Sequence, residues 1–159
     1  MKKELSADSR IWIYRSDRTF SVDELNFIEN RLNLFCKEWT AHNQALLADY
    51  EIRENKFIIL AVDETQTDAS GCSIDKSVRE LKVIEDALKV NLLDKSHLTY
   101  WSGNEFKEIH FMEIQSAYDS GSFNDETFFY NLNIEKLSDL ESKFKLPLKS
   151  HWAIKNLVK

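Results

Sequence analysis

Six consecutive apolar residues, Phe57-Ile58-Ile59-Leu60-Ala61-Val62, stand between Lys56 and Asp63. A bilayer span needs about 20 such residues, so this run crosses no membrane. It has no polar face either, which is the mark of a strand covered on both sides. A chain that carries it must place a layer against each face of a sheet.

The flanking segments supply the rest of that sheet. Arg10-Ile11-Trp12-Ile13-Tyr14-Arg15 is a second apolar run bounded by charge and reads as the first strand. Ala48 to Glu54 alternates, with Tyr50 and Ile52 on one side and Asp49, Glu51 and Arg53 on the other, as a half-exposed strand does. Asn55-Lys56 then turns tightly into the apolar run.

Two helices are predicted between these strands and after them. Ser21 with Glu24 three residues on is a capping box, and Phe20 and Leu25 are spaced for a hydrophobic staple. Leu25, Ile28, Leu32, Phe35 and Trp39 follow at alternating steps of three and four, with Cys36 on the same stripe. The second helix is expected to start at an N-cap on Ser73 and to bury Ile74, Val78, Leu81, Ile84 and Leu88. His97-Leu98-Thr99-Tyr100-Trp101 reads as a fourth strand.

The resulting order, β-α-β-β-α-β, is the split βαβ arrangement, so the expected class is α+β with a ferredoxin-like core over residues 1–103. In that fold the strands lie in the order 4-1-3-2. The two non-alternating strands then fall at the centre and the half-polar one at an edge, which agrees with their patterns. Both helices lie on one face. Residues 104–159 are expected to pack on the core as an α/β extension of the same domain, with a helix over Phe111 to Tyr118, a strand over Glu126 to Leu132 and a helix over Ile134 to Phe144. A homodimer partner is the other candidate cover for the open face.

Charge and composition limit the function. A formal net charge of -6, with no basic run, argues against non-specific binding to nucleic acid or to an anionic membrane. Met1-Lys2-Lys3-Glu4-Leu5-Ser6-Ala7-Asp8 has no apolar core of a signal peptide. Two cysteines form neither a disulfide framework nor a metal pair, so the reducing cytoplasm is the expected compartment. No cofactor is expected. His97 and His110 lack a ligand-spaced partner, and His151 reads as packing or surface. The aromatics Phe123, Phe128, Phe129 and Tyr130 read more readily as core than as a platform.

Topology marks one place for a site. In a split βαβ unit the loop after the first helix and the loop after the third strand share one edge. Trp39-Thr40-Ala41-His42 would thus approach Asp63-Glu64 and Ser70-Gly71-Cys72-Ser73-Ile74-Asp75. Three chemistries compete there. Cys72 at a helix N-terminus, with His42 as base, would make a thiol nucleophile, although Asp63, Glu64, Asp68 and Asp75 oppose a thiolate. Carboxylates with His42 would suit a cation, but Asp63-x4-Asp68 has no EF-hand rhythm. In the structural alternative Gly71 takes a left-handed turn, Ser70 and Ser73 cap, Asp75 complements the dipole and Cys72 packs as a small apolar group. Anion binding at the helix start is disfavoured by the acidic neighbours, which leaves a small neutral or zwitterionic ligand.

The pattern W-T-A-H, then D-E after an apolar strand, then S-G-C-S-I-D-K-S opening a helix, resembles a family of small uncharacterised bacterial proteins often labelled "ABC transporter ATPase". The resemblance runs from about Ser9 to Leu93, with a weaker echo from Pro147 to Trp152. It supports the core boundaries and draws attention to the same loop. The ATPase label has no counterpart here: a phosphate-cradling P-loop needs G-x-x-x-x-G-K-[ST], and the glycines are Gly71, Gly103 and Gly121. The expected function is therefore a non-catalytic module that binds a small ligand or a protein, through Trp39, Asp63, Glu64, Ser70, Gly71, Ser73 and Asp75. A thiol-dependent enzyme using Cys72 and His42 is the alternative.

Overall fold

A computed structural model describes residues 1–158 of the chain. It is α+β, and its chain divides into two compact units, one of Met1–Leu93 with Asn133–Asp139 and one of Asp94–Leu132 with Leu140–Lys159. Among the described residues no helix is long and apolar enough to cross a membrane.

The first unit is built on the apolar run. β1 (Arg10–Arg15), β4 (Leu47–Arg53) and β5 (Phe57–Asp63) form an antiparallel sheet in the order β1-β5-β4. All seven residues of β5 are buried, as a central strand without alternation requires. The β4–β5 connection turns through Glu54 and Asn55, both at positive φ, where the twist suits a hairpin.

α1 (Val22–Glu38) starts at the expected capping box, with Glu24 N–H donating to Ser21 Oγ at 3.2 Å and Ser21 N–H to the Glu24 carboxylate at 2.9 Å. Arg18 grips the same carboxylate with two bonds of 2.7 Å. Those bonds, then the one from Ser21, hold the Glu24 carboxyl down at about 2. Ile28, Leu32 and Cys36 face the sheet, where Tyr14, Tyr50, Ile58, Leu60 and Val62 share their cluster.

α2 (Gly71–Leu88) begins one turn before the expected start. Ser70 is its N-cap and Ser73 is the third helical residue, each backbone N–H bonded to the other's hydroxyl at 2.7 and 3.1 Å. A serine here takes the place of the glutamate of a capping box, so the start of this helix lacks the usual acidic signature. Gly71 is consequently helical and not in a left-handed turn. The buried stripe is Ser73, Ser77, Leu81, Ile84 and Glu85, so Val78 falls outside it at 37% exposure. Small serines occupy the close approach to Trp39 and Tyr14. At the other end Glu85, 7% exposed, accepts the N–H groups of Leu92 and Leu93 at 2.7 and 2.9 Å and turns the chain out of the helix.

The fourth strand of the expected core pairs elsewhere. His97–Trp101 belongs to the second unit, and the edge of β1 is taken by residues 133–139. Ile11 N–H donates to Glu135 O at 3.0 Å, Leu137 N–H to Ser9 O at 2.9 Å, and Arg10 bridges Lys136 antiparallel. The physical reason is local: Phe106–His110 follows His97–Trp101 closely enough to form a hairpin with it, and a tight hairpin closes at lower entropic cost than a long return to β1. The division therefore falls after Leu93, not after residue 103. The segment read as a helix from Ile134 is extended first and helical only from Leu137 to Lys143, in two short turns.

The second face of the first sheet carries Ile11 of β1 and Phe57, Ile59 and Ala61 of β5. Ile11, Phe57, Ile59 and Ala61 are each at most 3% exposed. Part of its rim is held by the N-terminal segment, where Lys3 N–H donates to Asp49 at 2.8 Å and Ser6 N–H to Asp63 at 2.9 Å.

The second unit carries an antiparallel sheet in the order β7-β6-β8-β9, from β6 (His97–Trp101), β7 (Phe106–His110), β8 (Phe128–Tyr130) and β9 (Lys145–Pro147). α3 (Ile114–Asp119) packs Ile114 against one face with Leu98, Tyr100, Ile109, Phe123, Phe129, Leu148 and Ala153. His151 is buried beside Phe129 and belongs to the interior of this unit.

Candidate functional site

The two loops that topology brings to one edge do meet, and the first is more ordered than the sequence suggests. Thr40–Ala41 and Gln44–Ala45 form a small hairpin, β2 and β3, that turns through His42 and Asn43 at φ 52° and 62°. Two consecutive left-handed residues make a type I′ turn, for which Asn is well suited and His less so. His42 is exposed at this turn.

Hydrogen bonds of three kinds fix the opposing loop. Asp63 accepts from Ser6 N–H at 2.9 Å and from Thr65 N–H at 3.0 Å. These bonds, Ser6 first, lower the Asp63 pKa. Glu64 accepts from Ala69 N–H at 2.8 Å. Thr67 Oγ1 donates to Gln44 Oε1 at 3.1 Å, and Lys76 Nζ reaches Thr40 Oγ1 at 3.4 Å, so the hairpin is tied to loop and helix. Beneath them Trp39, 1% exposed, donates its indole N–H to Ser73 O at 2.8 Å and packs on Phe35 with ring centroids 4.9 Å apart.

The space between the loops is an open groove of about 350 Å³, walled by Ala41, His42 and Gln44 on one side and by residues 66–70 on the other. Of the residues singled out in the sequence, Ala41, His42, Asp68 and Ser70 line it. Trp39 and Ser73 lie below in the core, and Asp63 and Glu64 spend their carboxylates on backbone N–H groups. Gly71, Cys72 and Asp75 sit on the exposed first turn of α2 and do not wall the groove. The groove's free polar groups are instead His42, Gln66 and Asp68, whose side chains make no hydrogen bond among the described residues. Gln44, Gln66 and Thr67 carry no sequence motif, and only the fold assembles them. Among the described residues no three His, Cys, Asp or Glu side chains are grouped to hold a metal ion.

The two thiols differ sharply. Cys36 is 5% exposed, and burial, then the nearby Asp49 carboxylate, pushes its pKa up to about 12. Cys72 is exposed, so it does not pack as a core residue. Iodoacetamide is therefore expected to modify Cys72 in the folded protein and Cys36 only after unfolding, read by peptide mass spectrometry. Labelling of Cys36 under native conditions would contradict its burial.

The second unit holds a grouping that residue spacing hides. His97 and His110 are cross-strand partners with ring centroids 5.0 Å apart. His97 Nδ1 lies 2.9 Å from Asp94, whose carboxyl is held down at about 2 by the Ser96 hydroxyl and backbone, with His97 adding to the effect. His110 Nδ1 accepts from Met112 N–H at 3.0 Å and thus keeps its proton on Nε2 when neutral. That proton leaves no lone pair facing outward, so the pair is a poor chelate for a metal.

Comparison with family models, curated proteins and solved structures finds no match for this chain.

Proposed function

We propose that the protein is a non-catalytic binding module for a small polar ligand, neutral or zwitterionic, taken up in the groove between the β2–β3 hairpin and the loop of residues 64–70. The observation that carries this reading is the set of unengaged groups there: an imidazole, a primary amide and a carboxylate face a groove whose walls are cross-tied. Rigid walls with free donors and acceptors lower the ordering cost of binding. The volume suits a molecule of amino-acid size. Asp68 disfavours an anion and would pair with an ammonium group, while His42 and Gln66 would meet a carboxylate or carbonyl. The thiol-enzyme alternative has less support, because Cys72 is not a wall of the groove that holds His42.

We also read the first unit as a variant of the split βαβ core, with residues 133–139 in the place of the fourth strand. The order β1-β5-β4, the two helices and the bonds from β1 to that segment support this.

Backbone amide NMR with a panel of free amino acids and small polar amides tests the binding reading. Shifts are expected to concentrate at His42, Gln44, Gln66 and Asp68. Asp68→Asn is expected to weaken an ammonium-bearing ligand about tenfold, the loss of one charge-assisted bond, without a change in melting temperature. Shifts that map elsewhere, or no shifts with any compound at millimolar concentration, would remove the groove as the site.

A further inference from the structure

The face of the second sheet opposite its core carries a row of aromatic rings. Trp101 on β6 is the cross-strand partner of both Phe106 on β7 and Phe128 on β8. Tyr130 lies two residues on from Phe128 and therefore on the same face. Opposite Tyr130 on β9 stands Lys145. Its ammonium nitrogen lies 5.4 Å from the Trp101 ring centroid, 5.3 Å from Phe128 and 5.5 Å from Tyr130.

Three rings from two neighbouring strands, Trp101 on β6 with Phe128 and Tyr130 on β8, form a cage around one cation, and each distance is within the reach of a cation–π attraction. Tyr130, 1% exposed, is its floor, and Phe128, 44% exposed, is its open rim. Lys145 is itself exposed, so its flexible stem can swing to solvent without disturbing the sheet. A primary ammonium is strongly hydrated and gains little from ring faces beside water. A quaternary ammonium is weakly hydrated and gains more in the same place.

We propose that Trp101, Phe128 and Tyr130 form a binding site for a small quaternary ammonium compound, in which Lys145 is a built-in competitor for the cage. The negative net charge of the chain favours a cationic ligand in general. This site shares no residue with the groove of the first unit, so each reading fails or stands by itself.

The probe is tetramethylammonium chloride, titrated against sodium chloride at equal ionic strength. Proton NMR reads two signals: saturation transfer to the probe's methyl groups, and the position of the Lys145 ε-methylene protons, which ring currents move upfield in the cage. Binding is expected to carry the lysine signal back toward its free value. Lys145→Gln, which removes the competing cation, is expected to tighten binding about two- to fivefold. Trp101→Leu and Phe128→Leu are each expected to abolish saturation transfer. Phe128 is exposed enough that its variant keeps the fold if the Trp101 variant does not. No transfer to the probe in the Lys145→Gln protein overturns the proposal, as does undiminished binding in Phe128→Leu.

Discussion

Replacing Trp39 with alanine is expected to cost about 3–5 kcal/mol of folding stability, the range for a fully buried tryptophan. A domain of ordinary stability has about 5–15 kcal/mol in total, so the variant should unfold at a far lower urea concentration. The size of the effect follows from position. Trp39 is the C-cap of α1, 1% exposed, and packs against Phe35 and Trp12 while its indole N–H holds the first turn of α2 through Ser73 O. The same residue thus joins two helices in the core below the groove. Trp39→Phe keeps a ring in the space and loses the hydrogen bond, so a loss of about 1–2 kcal/mol is expected there. A midpoint for Trp39→Ala within error of the wild type would show that the ring does not organise this edge.

Acid is expected to weaken the fold through His151, well above the range in which the carboxylates protonate. His151 is 1% exposed, with Nε2 3.1 Å from Tyr130 O and Nδ1 accepting Ala153 N–H at 3.0 Å. Together these bonds place the proton on Nε2, and the one accepted by Nδ1 requires the neutral ring. A second proton would point Nδ1–H at another N–H group inside the unit. Burial lowers the His151 pKa below its ordinary 6.5, and the bond to Tyr130 O opposes this only in part.

The sign follows from linkage. The unfolded chain takes up the proton more readily, so the stabilising contribution is complete above pH 6.5. It declines as pH falls below that value and is lost through the lowered folded pKa. Melting temperature should therefore drop between about pH 7 and pH 5. His151→Ala is expected to cost about 2–4 kcal/mol at neutral pH, because a buried carbonyl and a buried N–H lose their partners. In that variant the slope over the same window should flatten. A slope equal to that of the wild type would assign the dependence to another group. The paired carboxyls of Glu24 and Asp94, both at about 2, act only at lower pH.

Much of the first unit is legible without coordinates. A capping box, a stripe at steps of three and four, and an apolar run with no polar face depend on neighbours a few residues away. α1, β1, β4 and β5 accordingly lie where their patterns place them, as does the meeting of the loops at one edge. The start of α2 is a near miss of the same local kind, since Ser70 and Ser73 cap each other without the usual acid.

Other features were settled by competition between distant segments. His97–Trp101 has the residues of a strand and could pair with β1 or with its own successor. The short hairpin to Phe106–His110 closes at lower entropic cost, and Asn133–Asp139 then takes the β1 edge. Serines carry no pattern that marks them as a helix's buried face, yet Ser73 and Ser77 are buried, because Trp39 and Tyr14 need the room. Likewise Asp63 and Glu64 read as free carboxylates until folding supplies the N–H groups they accept. The groove's polar set and the Lys145 cage join residues from separate strands and loops, and such sets exist only once register and pairing are fixed. Local periodicity and capping chemistry are written in the sequence itself, whereas which edges pair, and which polar groups remain unspent, is decided by tertiary packing because every candidate partner competes for the same hydrogen bonds and the same space.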